Sequence, residues 1–387
     1  IKRVDVMKFE KLKNIVEVKK GKKPSFVETP DENSIRVLQI DDLRNDTNPK
    51  FTNDKTGVLA KEDDVLIAWD GANAGTIGYG KLGYIGSTIA LLRKKQPDLY
   101  STTFIGIFLQ SQYQYLRSKT TGATIPHISR KSLDDLEVPI ISVNDQLHIA
   151  NVLIKAENLI AQRKESIRQL DEFLKSKFAE LFIDRDFPHH KLGDLATKIT
   201  DGEHKKPEYL EEGMPFISVK NITNGFLDFN DCKYVSVEDF NKFTKRCKPE
   251  FGDIIYTKVG ATYGRASVVD TEKPFCLYVS VALIKPKKEL VLPKFLQYAI
   301  NHPYVKRQAD KSIKGSGVPD LHLIEIKSFE IPLPSIELQT QFAQIVEKIE
   351  ALKTQHQQSL QELENLYGSL SQKAFRGELV CNKPVSV

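Results

Sequence analysis

The sequence predicts an α+β protein built as a pseudo-two-fold internal repeat: two similar α/β domains separated by an antiparallel coiled coil of two long helices. Three observations carry this expectation. The chain matches itself at a nearly constant shift, each half is rich in short β-type runs bounded by turn residues, and each half closes on a long stretch of helical periodicity.

Self-similarity at a fixed period decides the architecture before any single element does. A shift of 193 residues lays Thr124-Ile125-Pro126-His127-Ile128 on Gly317-Val318-Pro319-Asp320-Leu321, and Leu136-Glu137-Val138-Pro139 on Phe329-Glu330-Ile331-Pro332. The same register carries Gln146 onto Gln339, Ala150 onto Ala343, Glu157 onto Glu350, Leu170 onto Leu363 and Phe182 onto Phe375. Earlier in each half a shift of 189 aligns Asp64-Val65-Leu66-Ile67 with Asp253-Ile254-Ile255-Tyr256, then Gly71 with Gly260 and Gly75 with Gly264. The change of register implies short loop insertions, which surfaces tolerate.

The first domain is expected over residues 1–143 and the second over 186–335. Runs such as Ile35 to Ile40, Val65 to Trp69, Phe216 to Val219 and Val279 to Ile284 lie between Gly, Pro, Asn and Asp residues and read as strands. Thr103 to Lys119 and Pro293 to Gln308 carry helical spacing, so each domain mixes the two. Residues 144–185 and 336–376 read as the long helices, and 377–387 as a tail. In the first helix Ile149, Leu153, Ala156, Ile160, Arg163, Ile167, Leu170, Leu174 and Leu181 alternate four and three apart, the spacing of a coiled-coil seam. Phe342, Ile345, Ile349, Leu352, His356, Ser359, Leu363, Leu366 and Leu370 do the same in the second. Each helix would be roughly 60 Å long, too long for one small domain to cover its stripe. The stripes are therefore expected to cover each other, and a whole domain between the helices makes the pairing antiparallel.

Composition excludes several classes. The chain has 387 residues, 40% of them hydrophobic and 28% charged, the balance of a globular protein. No run is long and apolar enough to span a bilayer, and the start, Ile1-Lys2-Arg3-Val4-Asp5, has no signal-peptide core. The expected compartment is the cytoplasm. Four cysteines without a CxxC pair suggest neither a disulfide framework nor a zinc site. The net charge of +5 permits a polyanionic partner without demanding one.

Catalytic motifs dissolve on inspection. Gly75 to Lys81 matches GxxxxGK, but Leu82 stands where a hydroxyl must hold magnesium, and Gly78-Tyr79-Gly80-Lys81 reads equally as a hairpin turn. Asp320 with Glu325 and Lys327 is a short nuclease-like set whose first-half counterparts are His127, Ser132 and Asp134, so the pattern looks accidental. The eight histidines are scattered, and no metal site is expected. No two prolines adjoin, which removes the loop with which amino-methyltransferases grip a flipped base. An enzyme is not expected.

Reading duplex DNA needs cationic and amide side chains on rigid loops, for phosphates and for base edges. Both halves offer such a set in matching places. The first has Lys20, Lys22 and Lys23, then Trp69 and Asn73 by its glycines, then His127, Ser129, Arg130 and Lys131 after Pro126. The second has Lys205 and Lys206, then Lys220 and Asn221, then Lys258, Thr262, Tyr263 and Arg265 by its glycines, with Lys314, Ser316 and His322 around Pro319. One lysine cluster is usually a solvated face; recurrence in both copies favours DNA contact. The glycines themselves read as positions of positive φ or close backbone approach.

Order and duplication now carry a resemblance. Gly252-Asp253-Ile254-Ile255-Tyr256 with Gly260 and Gly264, then Val318-Pro319-Asp320-Leu321 through Phe329-Glu330-Ile331-Pro332-Leu333-Pro334 to Gln339, and the ending Gln372 to Leu379, resemble the specificity subunit of type I restriction-modification systems over essentially the whole chain. The first copy departs from the second at Val138-Pro139-Ile140-Ile141-Ser142. The resemblance implies two target-recognition domains, each reading half of a split double-stranded DNA site, and helices on which two methyltransferase subunits dock. It also implies restriction subunits as further partners, no membrane, and S-adenosylmethionine, ATP and Mg2+ held by the partners rather than by this chain. The rival expectations are a helical scaffold that never touches DNA, and a self-sufficient nuclease or methyltransferase.

Overall fold

The computed structural model describes residues 7–45, 47–122, 124–222, 225–313 and 317–379. The chain forms two compact units: one holds residues up to Lys164 together with those from Gln358 onward, the other Glu165–Gln357. Each contains one mixed domain and part of both long helices. Among the described residues no helix is long and apolar enough to cross a membrane.

In unit 1 the strand Val65–Ala68 is apolar throughout, and all of it is buried. Side chains alternate along a strand, so one strand can serve two cores. Val65 and Ile67 join Phe104, Ile105 and Leu153, while Leu66 and Ala68 join Leu38, Ile85 and Leu91. This strand lies inside an antiparallel sheet ordered Val16–Lys20, Ile89–Lys94, Val65–Ala68, Ile77–Tyr79. A second sheet, ordered Lys50–Thr52, Ile35–Leu38, Gly83–Ile85, Val58–Ala60, includes a parallel pair that matches Val37 with Tyr84.

Unit 2 repeats the plan. Its first sheet is ordered Ala196–Asp201, Val281–Pro286, Ile254–Thr257, Ala266–Val268, and its second, Lys233–Val235, Met214–Ile217, Cys276–Leu277, again includes one parallel pair. Ile254 and Tyr256 face the core of Phe295 and Phe342, whereas Ile255 faces that of Ile217 and Leu277. In chain order the helix Val237–Thr244 stands where unit 1 has the edge strand Val58–Ala60, the kind of difference that shifts the repeat register.

Two stretches with helical spacing are helical but divided, and one turn expectation needs correction. Thr103 to Lys119 is two helices, Thr102–Ser111 and Tyr113–Ser118, which meet at Gln112, next to the Ser111 hydroxyl that donates to the Phe108 carbonyl at 2.6 Å. Pro293–Asn301 and Pro303–Ser312 are likewise separate, because Pro303 brings no N–H and its ring stops the preceding helix. The Gly78 to Lys81 stretch is no hairpin. Ile77–Tyr79 pairs in the first sheet and Gly83–Ile85 in the second, so Gly80, at φ +69°, hands the chain from one sheet to the other.

The first long helix runs Val143–Phe178 and continues as a wider turn, Ala179–Ile183, closed by the Asp184 N–H donating to the Ala179 carbonyl at 3.0 Å. The second runs Ile336–Phe375. They pair antiparallel inside each unit. In unit 1 the Tyr367 hydroxyl donates to Glu157 at 2.6 Å and Lys164 lies 2.8 Å from Glu364. In unit 2 Lys353 pairs with Asp171, and Phe178 meets Phe342 edge-on at 5.3 Å between ring centres.

The seam differs from the expected one. Leu352 and Leu366 are exposed, while Val346 and Ala374 are fully buried. Straight α-helices drift by roughly 20° per heptad against a strict seven-residue repeat, which moves the contact line off those leucines. Nor do the stripes cover each other alone. Ile149, Leu153 and Ala374 belong to the unit 1 domain core, where Phe375 packs against Phe104 and Phe108 at 5.8 and 5.3 Å. Leu174, Phe178, Phe342 and Val346 belong to that of unit 2. The helical ends thus pack on a domain as well as on each other.

A matching clamp seats each helix on its domain. The Ser101 N–H donates to Gln146 Oε1 at 2.8 Å, and Gln146 Nε2 donates to the carbonyls of Leu99 and Ile141 at 2.9 and 3.0 Å. Gln339 takes the Leu292 N–H at 2.8 Å and donates to Leu290 and Pro334, both at 3.0 Å.

Candidate nucleic-acid interface

In each domain a glycine loop and a proline loop are bonded into one rigid edge. In unit 1 the Gly71 N–H donates to the Pro126 carbonyl at 2.9 Å, Ile128 to Trp69 at 2.9 Å, and Gly75 to Ala68 at 2.8 Å. In unit 2 Gly260 donates to Pro319 at 2.9 Å, Leu321 to Lys258 at 2.9 Å, and Gly264 to Thr257 at 2.8 Å. Gly71 and Gly260 adopt φ of +93° and +89°, with no heavy atom within 4 Å of where a Cβ would stand. Conformation, not crowding, therefore requires glycine at both.

Charged side chains knit this edge to the end of the first strand. In unit 1 Asp70 accepts from Lys20 Nζ at 3.0 Å and from His127 Nδ1 at 2.5 Å, while the Lys20 ammonium stands 5.8 Å from the centre of the Trp69 ring. Burial alone would raise the Asp70 carboxyl, but the bonds from His127 and Lys20 prevail and hold it below the usual carboxylate range. Beside it Arg44 donates to Asn73 at 3.0 Å and to the Thr76 hydroxyl at 3.2 Å. In unit 2 Lys258 Nζ lies 3.2 Å from Asp320 and 3.8 Å from Asp201, and Asp201 is also met by His204 and Arg246, each at 3.2 Å.

Lys20, Trp69, Asn73 and His127 thus gather at one edge, with Ser129, Arg130 and Lys131 opening the helix Arg130–Asp134 just beyond it. Ser129 caps that helix by accepting the Ser132 N–H, and Arg130 is held by Asp134 at 2.8 Å. Lys22 and Lys23 are exposed near Thr56, whose carbonyl accepts from Lys22 at 3.2 Å. In unit 2 Thr262, Tyr263 and Arg265 flank the glycines; Arg265 and Thr262 are exposed, and Tyr263 bonds Asp310 under the Lys306 ammonium, 3.7 Å from its ring centre. Lys205, Lys206 and Lys220 are exposed, and His322 is exposed at the start of the helix Leu323–Lys327, where its N–H donates to Glu325 at 2.8 Å. Lys314 and Ser316 lie outside the described residues.

Three candidates are not free surface groups. Trp69 is a member of the unit 1 core. Asn221 is buried, its Oδ1 accepting the Ser218 N–H at 3.1 Å and its Nδ2 donating to Asp228 at 3.0 Å. Lys258 is buried between two carboxylates. Each is absorbed by folding, because counting cations and amides along a chain says nothing of burial. The carboxylates Asp70 and Asp201, by contrast, went unread, and Asp320 was read only as part of an accidental nuclease-like set; acids are not sought in a DNA-facing set, and the partners Lys20 and Lys258 are distant in sequence.

The sequence profile described as "Type I restriction modification DNA specificity domain" matches residues 5–171 and 185–365. The type I restriction enzyme MjaVIII specificity subunit of Methanocaldococcus jannaschii is 26% identical over 358 residues, spanning 86% of this chain and 83% of that protein. The EcoBI specificity subunit of Escherichia coli is 25% identical over 362 residues, 84% of this chain and 75% of that one. Among solved structures, the S subunit of a type I restriction-modification system from M. genitalium superposes with a TM-score of 0.58 over 97% of this chain and 98% of its own, at 18% identity. A chain from a study of assembly and conformational transition of the type I R-M system gives 0.62 over 98% and 100%, at 16% identity.

Proposed function

This chain belongs to the type I restriction-modification DNA specificity family, and on that premise we propose that it recognises a two-part double-stranded DNA site and directs methyltransferase and restriction subunits to it. The observation that carries the reading is the duplicated edge: one backbone scaffold, Gly71 on Pro126 and Gly260 on Pro319, furnished with different side chains. A common scaffold supports a common task, and different side chains support different half-sites. The paired helices are the ruler between half-sites, as dimeric readers use their own symmetry to set spacing. Chemistry falls to the partners, which would hold S-adenosylmethionine, ATP and Mg2+; this chain is a non-catalytic subunit of the cytoplasm.

The test is to assemble the full chain with methyltransferase subunits and map methylated adenines in exposed DNA. A split motif is expected, with binding that weakens steeply as salt rises. Replacing Arg130 and Lys131 by Ala should weaken selection of one half only. Equal modification of unrelated sequences, or binding indifferent to salt, would favour the scaffold that never touches DNA.

The same internal repeat bears on partner number. The 193-residue shift takes Leu159 to Leu352 and Phe173 to Leu366, and these four are exposed by 50%, 38%, 49% and 51% respectively. Helical periodicity and the antiparallel register put Leu159 level with Leu366 in unit 1, and Phe173 level with Leu352 in unit 2. Two like apolar pairs suit two copies of one partner, each pair an anchor. Changing both residues of one pair to Asp should weaken one docking event about 30-fold or more, as loss of a central apolar anchor does. Native mass spectrometry would then find one methyltransferase subunit per chain instead of two; an unchanged count would remove these residues from the interface.

A further inference from the structure

The two ionic clusters occupy one place in the repeated fold with their charges reversed. Lys20 pairs across the sheet with Ala90, and Asp201 pairs with Ala282, itself the counterpart of Ala90 beside the central strand. Asp70 faces His127, and Val259 faces Asp320, in the same bridge between the glycine and proline loops. So Lys20 corresponds to Asp201, Trp69 to Lys258, and His127 to Asp320. Unit 1 places a carboxylate between two basic groups; unit 2 places an ammonium between two carboxylates.

Of the corresponding residues, His127 and Asp320 are alike in access and opposite in chemistry, whereas Asp201, the counterpart of Lys20, is buried. The side chains of His127 and Lys20 are 46% and 50% exposed, and that of Asp320 is 48% exposed. Lys258 donates to Asp320 Oδ1 at 3.2 Å, and a carboxylate so held keeps acceptor capacity for a further partner. A carboxylate on a surface meant for DNA is repelled by phosphates and by the N7, O6 and O4 acceptors of base edges. It gains only from an amino donor, the cytosine N4 or adenine N6 group in the major groove. An ammonium gains from the opposite set, above all guanine O6 and N7.

Resting on the DNA-reading function above, we propose that this position determines specificity in each domain: Asp320 requires a base that presents an exocyclic amino group in the major groove, and Lys20 with His127, at the matching place, requires an acceptor edge. Asp320 acts as much by exclusion as by attraction, since a base without an amino group in the major groove meets it there with acceptor lone pairs and no donor.

The experiment selects bound duplexes from a randomised library with the full chain assembled on its methyltransferase subunits. Asp320→Asn keeps shape while adding a donor. It is expected to relax the requirement at one base pair of one half-site by about 10-fold or more, the range of a lost base contact, with the other half-site unchanged. Lys20→Gln should relax one base pair of the opposite half-site. If the wild-type complex selects a split site and both variants keep its base preferences while affinity shifts evenly, the cluster only braces the loops and the proposal falls. If the wild-type complex selects nothing, the DNA-reading function falls and takes this with it. Thermal melting of each variant separates loss of folding from loss of choice.

Discussion

Replacing Asp64 by Ala is expected to destabilise unit 1 by about 3 kcal/mol, the low end of the range for removing one partner of a buried ion pair. Asp64 is fully buried and accepts three bonds: Arg93 Nε at 2.9 Å, Arg93 Nη2 at 2.6 Å and the Lys61 N–H at 2.9 Å. The low end applies because Arg93 is a third exposed and can take water once the carboxylate is gone. Its counterpart Asp253 accepts the Glu250 N–H at 2.8 Å and Lys285 at 2.6 Å. There burial pushes the carboxyl above its usual range despite both bonds, so the ionised form is less favoured and Asp253→Ala should cost unit 2 less. The measurement is simple because Trp69 is the chain's only tryptophan and lies in the unit 1 core. Urea unfolding followed by its fluorescence reports that unit, and a midpoint shift worth under about 1 kcal/mol in Asp64→Ala would contradict the argument.

This pair also shows what the sequence disclosed. Asp64 and Asp253 were visible as matched letters ahead of a β-type run, and the strands, the glycine loops and the second long helix, Ile336–Phe375, fell where pattern put them. Those features are local: a strand needs alternation, a loop at positive φ needs glycine, and a helix needs a run without breakers. What the letters could not carry was the ligand of each aspartate, Arg93 in one unit and Lys285 in the other, because a salt bridge to a neighbouring strand that is distant in sequence has no signature along the chain. The charge-reversed cluster hid for a second reason. Comparing the halves by identity rewards sameness, and at Lys20 with Asp201 or His127 with Asp320 the informative fact is difference. The drift of the helical seam away from Leu352 and Leu366 was hidden differently, since a four-and-three spacing describes supercoiled helices better than straight ones.

The clamp glutamines give a comparably large effect. Gln339→Ala removes the partners of the Leu292 N–H and of the Leu290 and Pro334 carbonyls at a site that is fully buried. Each such group left unpaired costs about 1–3 kcal/mol, so a loss of at least about 3 kcal/mol in unit 2 is expected. Gln339→Glu keeps the acceptor but sets a buried carboxylate against the Leu290 and Pro334 carbonyls, and should cost at least as much as Gln339→Ala. The readout is hydrogen exchange at Ile254–Tyr256, the central strand of unit 2, which should quicken while Trp69 fluorescence in unit 1 stays near its native value. The consequence reaches function because the clamp ties the head of the second long helix to the loop before the helix Pro293–Asn301. A reader whose seat on the helix is loosened presents its edge in many poses. In the assembled complex, methylation should then lose fidelity at one half of the split site and keep it at the other, and Gln146→Ala should do the reverse. If Gln339→Ala instead blurred both halves equally, the clamp would be holding the whole chain together rather than seating one reader.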